Sequence, residues 1–167
     1  MKNKLIISMI LNIILIITLL VTFKINETKV FSFSGENEYF IIEHGEIIKN
    51  RKFEKISYSN FQIKNDIPSE SYEYKMELYF INKNEKIVLN MFADKINPST
   101  GTSLTKGHLL QNLGRLQISA SGNAHRILQD VSNKNIINNF YFEITFITYD
   151  NQEIIQTLKL DVVEFKN

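Results

Sequence analysis

The sequence predicts an all-β fold: a single antiparallel β-sandwich of about eight or nine strands, preceded by one N-terminal transmembrane helix. Three observations carry that expectation. Leu5–Phe23 is an apolar run broken only by Ser8, Asn12, Thr18 and Thr22. Beyond it, apolar residues recur with a period of two, most clearly at Tyr72, Tyr74, Met76, Leu78 and Phe80. Such alternation marks strands with one buried face. The alternating segments are short and separated by polar turn residues, which favours packed antiparallel sheets, a sandwich or else a barrel.

The first element is the apolar run. As a helix, its 19 positions span about 28 Å, close to the hydrocarbon thickness of a bilayer. Its fourteen Leu, Ile, Val and Phe residues favour insertion by about 4–8 kcal/mol before the polar residues are counted. Cleavage as a secretory signal is the competing reading, which would leave a secreted chain. The run is long for a signal, and Leu19-Leu20-Val21-Thr22-Phe23-Lys24 offers no small-residue cleavage pair. A lipoprotein signal needs a cysteine, and the chain has none. An uncleaved anchor is therefore expected over residues 1–23, a linker over 24–29 and an extracytoplasmic domain over 30–167. Lys2 and Lys4 place the N-terminus in the cytoplasm. Asn12, near mid-membrane, is read as a tolerated single polar group in preference to an interhelical hydrogen bond that promotes self-association.

Next come the strands. Lys29–Ser34 reads as a first strand, and Tyr39–Glu43 with Glu46–Lys49 as a hairpin turning at His44-Gly45. Lys55–Ile63 and Arg115–Ser119 are further candidates. Tyr72–Phe80 and the alternation Ile87, Leu89, Met91 form a hairpin around Asn82-Lys83-Asn84-Glu85. Phe140, Phe142, Ile144 and Phe146 begin a last hairpin. It turns at Asp150-Asn151 and resumes at Ile154, Leu158, Leu160 and Val162. Ala93–Gly107 is polar and glycine-punctuated, without clear alternation, and reads as a loop. Ala124–Ser132 fits a single helical turn or a strand pair.

Composition narrows the function. Residues 24–167 carry a formal charge of −1 with no basic stripe, so no nucleic-acid partner is expected. The absence of cysteine leaves stability to the core. His44, His108 and His125 are far apart in sequence, with no metal-ligand spacing. Ser103-Leu104-Thr105-Lys106 matches Ser-x-x-Lys and Ser121-Gly122-Asn123 matches Ser-x-Asn. That chemistry requires the serine at a helix start, and the flanking Gly101 and Gly107 indicate a loop. Glu73 and Glu77, with Lys75 between them, read as the solvated face of a sheet. No catalytic residue, cofactor or metal is expected.

One segment carries a resemblance. The basic start, the apolar helix, and Phe33-Ser34-Gly35-Glu36-Asn37-Glu38 ahead of a strand at Tyr39–Glu43 resemble uncharacterised membrane-anchored or lipid-anchored proteins of Gram-positive bacteria. The resemblance implies an immunoglobulin-like β-sandwich and no particular activity. The chain departs from many such proteins in lacking a lipobox cysteine.

The functional expectation is a non-enzymatic, membrane-tethered sandwich that binds a protein, peptide or envelope component. Contact is expected through Asp94, Lys95, Asn97, Thr100, Gly101, Ser103 and Lys106, or through an exposed strand edge. The alternatives are a small β-barrel carrying a lipid or apolar ligand, and an immunity or regulatory protein that acts through its membrane helix.

Overall fold

The computed structural model describes residues 2–25, 27–68, 71–97, 104–121 and 127–165. Helix α1 (Lys2–Ile25) comes first. Its window Ile6–Phe23 has a mean hydropathy of 2.8, and none of it is buried among the described residues. It is long and apolar enough to cross a membrane, a test that an N-terminal signal sequence also passes.

Ten strands follow among the described residues: β1 (Lys29–Glu36), β2 (Phe40–Asn50), β3 (Phe53–Ser57), β4 (Asn60–Ile63), β5 (Ser71–Asn82), β6 (Glu85–Lys95), β7 (Ile118–Ser121), β8 (Phe140–Thr148), β9 (Glu153–Lys159) and β10 (Asp161–Phe165). Two short helices, α2 (Lys106–Leu113) and α3 (Asn133–Asn138), lie among them. All pairings are antiparallel. One sheet runs β10-β1-β2-β3-β7, with β4 also on β2, and the other runs β6-β5-β8-β9. The two stack as a sandwich, and neither closes into a barrel.

The expected hairpin at His44-Gly45 is instead a bulge within the continuous strand β2. Buried positions shift from Phe40 and Ile42 to Gly45 and Ile47, so one extra residue changes the parity of the face. His44 takes up the excess at φ 53°. The break is matched across the sheet. Glu46 pairs with Ser57 on β3 and Glu43 pairs with Asn60 on β4, so the expected strand Lys55–Ile63 is split in two.

At the C-terminal end the single expected strand changes sheet. Glu153–Lys159 pairs with β8, whereas Asp161–Phe165 pairs with β1. Leu160, fully buried at the corner, donates its N–H to the carbonyl of Phe140 at 2.9 Å. Gly35 admits this crossover, because a Cβ there would lie 3.1 Å from the Lys159 carbonyl and 2.9 Å from a Leu160 methyl.

Phenylalanines fill the space between the sheets. Phe33 meets Phe140 edge-on at 5.2 Å, and Phe142 receives Phe40 at 5.8 Å and Phe61 at 5.2 Å. Along the open side, α2 and the 3-10 turn Gly114–Leu116 bring Leu109, Leu113 and Leu116 into the same core. Tyr58 donates to the Leu113 carbonyl at 2.6 Å, and Asn90 on β6 donates to the Arg115 carbonyl at 2.9 Å, so this segment bridges both sheets.

Candidate functional site

The ends of the sandwich differ. Strand β1 begins four residues after α1 and runs from Lys29 to Glu36, with Phe33 packed on the first residue of β8. Lys29 pairs with Glu164 at 3.6 Å, and α3 donates from Asn133 to Glu164 and from Asn135 to Asn82. The end of β5 and the start of β8 therefore lie toward α1, and the start of β5, the end of β6 and the β8–β9 turn lie at the remote end. There Tyr72 and Tyr149 stack with ring centres 5.3 Å apart and planes at 17°. Tyr149 remains 45% exposed, so one face of the stack is open to a partner. Lys95 lies with Nζ 4.8 Å above the Tyr72 ring and 3.7 Å from the Glu73 carboxylate. Ile96 donates its N–H to the Tyr72 carbonyl at 2.7 Å, which carries the chain past the end of β6.

Helix α2 completes this surface. Thr105 caps it, and Thr105 and His108 bond reciprocally through side chain and backbone. Asn112 on α2 donates to the Tyr74 hydroxyl at 2.8 Å and to the Asp94 carboxylate at 3.3 Å. Burial pushes the Tyr74 hydroxyl above its ordinary pKa, only partly offset by the Asn112 hydrogen bond. At the head of the helix Lys106 pairs with Asp66 at 3.1 Å. Asp94, Lys95 and Lys106 are thus gathered at the remote end, and Asn97 follows two residues after β6. Thr100, Gly101 and Ser103 lie outside the described residues, as do His125, Gly122 and Asn123.

The expected loop over Ala93–Gly107 is shorter than its sequence suggests. Strand β6 continues to Lys95 and α2 starts at Lys106. The sequence signal for α2 was the spacing of Leu109, Leu113 and Leu116, overshadowed by Gly107 and Gly114. Lys106 is the first residue of the helix and Thr105 its cap, so Ser103 precedes the helix altogether.

Glu77 corrects another expectation. It is not solvated but only 5% exposed, under the side chains on the outer face of β5 and β8. Lys86 bridges it at 2.6 Å to Glu143 at 2.7 Å, and sits 4.1 Å above the Tyr79 ring, itself stacked on Tyr141. Burial works against the charge on Glu143. The Lys86 ammonium and the hydroxyls of Tyr79 and Thr157 outweigh it and hold that carboxyl below the usual range. Burial and the neighbouring Glu143 push the Tyr79 hydroxyl up to about 12. Every charge in this cluster has a partner, which describes a structural brace.

Two depressions lie elsewhere. One of about 360 Å³ beside the bulge is lined by Ser32, Ser34, His44 and Asp161 among others. No hydrogen bond joins His44 to either serine or to Asp161 among the described residues, so no nucleophile–base pair is assembled. The other, about 260 Å³, lies near the α1 end and includes Lys29 and Lys49. Lys29 is paired with Glu27 at 2.7 Å, and Lys49 donates to the carbonyls of Leu128 and Val131. Among the described residues no group of three acidic or histidine side chains is placed to hold a metal.

Comparison with protein-family models, with curated proteins and with solved structures found no match.

Proposed function

We propose that the chain is a membrane-tethered, extracytoplasmic β-sandwich that binds a protein, peptide or other envelope component without catalysing a reaction. In this reading α1 remains as a single-pass anchor with its N-terminus in the cytoplasm, and the domain is kin to the Gram-positive anchored sandwiches that the sequence resembles. The observation that carries the reading is the stacked Tyr72–Tyr149 pair, with Tyr149 exposed at the end remote from the anchor and Tyr72 flanked by Lys95, itself paired with Glu73. Large aromatic rings ringed by charge are the composition of binding hot spots, because a ring buries much area at little entropic cost.

The packed interior weighs against a lipid carrier. An apolar cavity between Tyr39, Ile63, Ile67 and Phe146 measures about 20 Å³, room for about one water molecule. A lipid chain needs several hundred.

The test is photo-crosslinking from a residue placed at Tyr149 in the full-length chain, on intact membranes. A reproducible envelope adduct that disappears with Tyr72→Ala and Lys95→Ala is expected. Recovery of co-purifying lipid alone, or of the same adducts from a probe on the β9 face at Ile155, would overturn the proposal.

A further inference from the structure

The four polar residues within the apolar window Ile6–Phe23 of α1 share one face. At about 100° per residue, Ser8, Asn12, Thr18 and Thr22 fall within an arc of about 120°, together with Leu11, Leu15 and Leu19. Every isoleucine of the span, and Val21, lies on the remaining arc. Ser8, Asn12, Leu15, Leu19 and Thr22 are spaced alternately by four and three residues, the repeat of a left-handed helix pair. Asn12 and Leu19 then occupy one core position of the heptad, and Ser8, Leu15 and Thr22 the other.

The polar groups on this face differ in their needs. Thr18 and Thr22 return their hydroxyls to the carbonyls of Ile14 and Thr18, at 2.8 and 2.7 Å. Asn12 makes no hydrogen bond among the described residues. A carboxamide left unpaired in hydrocarbon is costly, and among the described residues no helix packs on α1 to relieve it.

We infer that α1 pairs in parallel with α1 of a second copy along this face, with Asn12 bonded to Asn12. A second copy offers complementary partial charge at the same depth. A carboxamide presents a donor and an acceptor, and its two-fold mate presents the inverse. Identical chains share orientation and register, so the two amides meet at the same level of the bilayer, whereas an unrelated helix would need a polar group placed there independently. One polar residue at a core position fixes register and the number of strands, and Leu15 and Leu19 supply the packing around it. The pairing would set two sandwiches side by side, doubling the valency of the remote end. This inference rests on the membrane reading of α1.

The test uses the full-length chain in native membranes. Because the sequence has no cysteine, each single substitution creates the only thiol. Oxidation is expected to give dimers from Leu15→Cys and Leu19→Cys at roughly fivefold or more the yield from Ile13→Cys and Ile17→Cys. Adding Asn12→Leu to the Leu15→Cys chain is expected to lower dimer yield by about three- to tenfold, the range found for interhelical polar contacts. Equal yields at all four positions, no dimer at any, adducts of another mass, or indifference to Asn12→Leu would each overturn the pairing in a membrane-resident chain. Recovery of the chain in the soluble fraction would overturn the membrane reading itself.

Discussion

A Cβ built on Gly45 would lie 2.3 Å from ring carbons of Phe33, and Phe33 is held edge-on against Phe140. Neither ring can withdraw without opening the core, so Gly45→Ala is expected to cost about 2–3 kcal/mol through overpacking. Urea unfolding of the micelle-bound chain measures this, and an unchanged midpoint would contradict it. A second buried device brackets the 3-10 turn Ile127–Asp130. Glu54 accepts from the N–H groups of Ile127 at 3.1 Å and Leu128 at 2.9 Å, while Lys49 donates to the carbonyls of Leu128 at 3.2 Å and Val131 at 2.6 Å. Burial lowers the Lys49 pKa, against the pull of Glu164 and Glu54. Replacing Glu54 by Gln removes an anion beside that ammonium and weakens two charge-assisted bonds. A loss of about 2–3 kcal/mol is expected, with faster amide exchange at Leu128. Glu143 sets a pH dependence. Its folded pKa is depressed, so its contribution is fully present above the unfolded carboxyl value and is lost as pH falls through the folded one. The stability gap between the native chain and Glu143→Gln should therefore be widest near neutrality and shrink on acidification. A gap that widens toward low pH would contradict the brace.

Elements that keep one face on one sheet were legible from their alternation. Tyr74, Met76, Leu78 and Phe80 are all buried, as are Phe140, Phe142, Ile144 and Phe146. Legibility failed where geometry broke the period. His44-Gly45 has the residues of a turn, yet a single bulge uses the same left-handed backbone without reversing the chain. Only the parity shift from Phe40 and Ile42 to Ile47 distinguishes the two, and a run of Ile at 41, 42, 47 and 48 hides it. Leu158, Leu160 and Val162 kept one alternation through a change of sheet, because both sheets face the same core. Of the candidate site, the polar segment around Lys95 stood out by composition, although Asp94 and Lys95 lie in β6 and Lys106 opens α2. The Tyr72–Tyr149 stack was not legible, since the two rings are distant in sequence and meet through the β5–β8 pairing. Helix α2 is the element whose removal should be felt most. Leu109 is fully buried, and Leu109→Ala should cost about 2–5 kcal/mol by transfer and cavity terms together. It should also loosen the remote end, because Asn112 on the same helix holds Tyr74 and Asp94. Equal protection of Asp94 and Lys95 amides in the variant and the native chain would contradict that coupling.

At the scale of the whole molecule, the two ends of the sandwich differ. The apolar helix enters at one end of the sandwich, the core is filled by aromatic side chains, and the exposed tyrosines occupy the other end. The account depends on the helix staying in the bilayer and the sandwich facing outward. External protease applied to intact protoplasts, followed by mass analysis of the membrane fraction, tests that most directly. The account predicts loss of the sandwich, leaving a membrane-held fragment that contains Ile6–Phe23. A sandwich protected until the cells are lysed, or a soluble chain in the medium beginning just after Phe23, would contradict it.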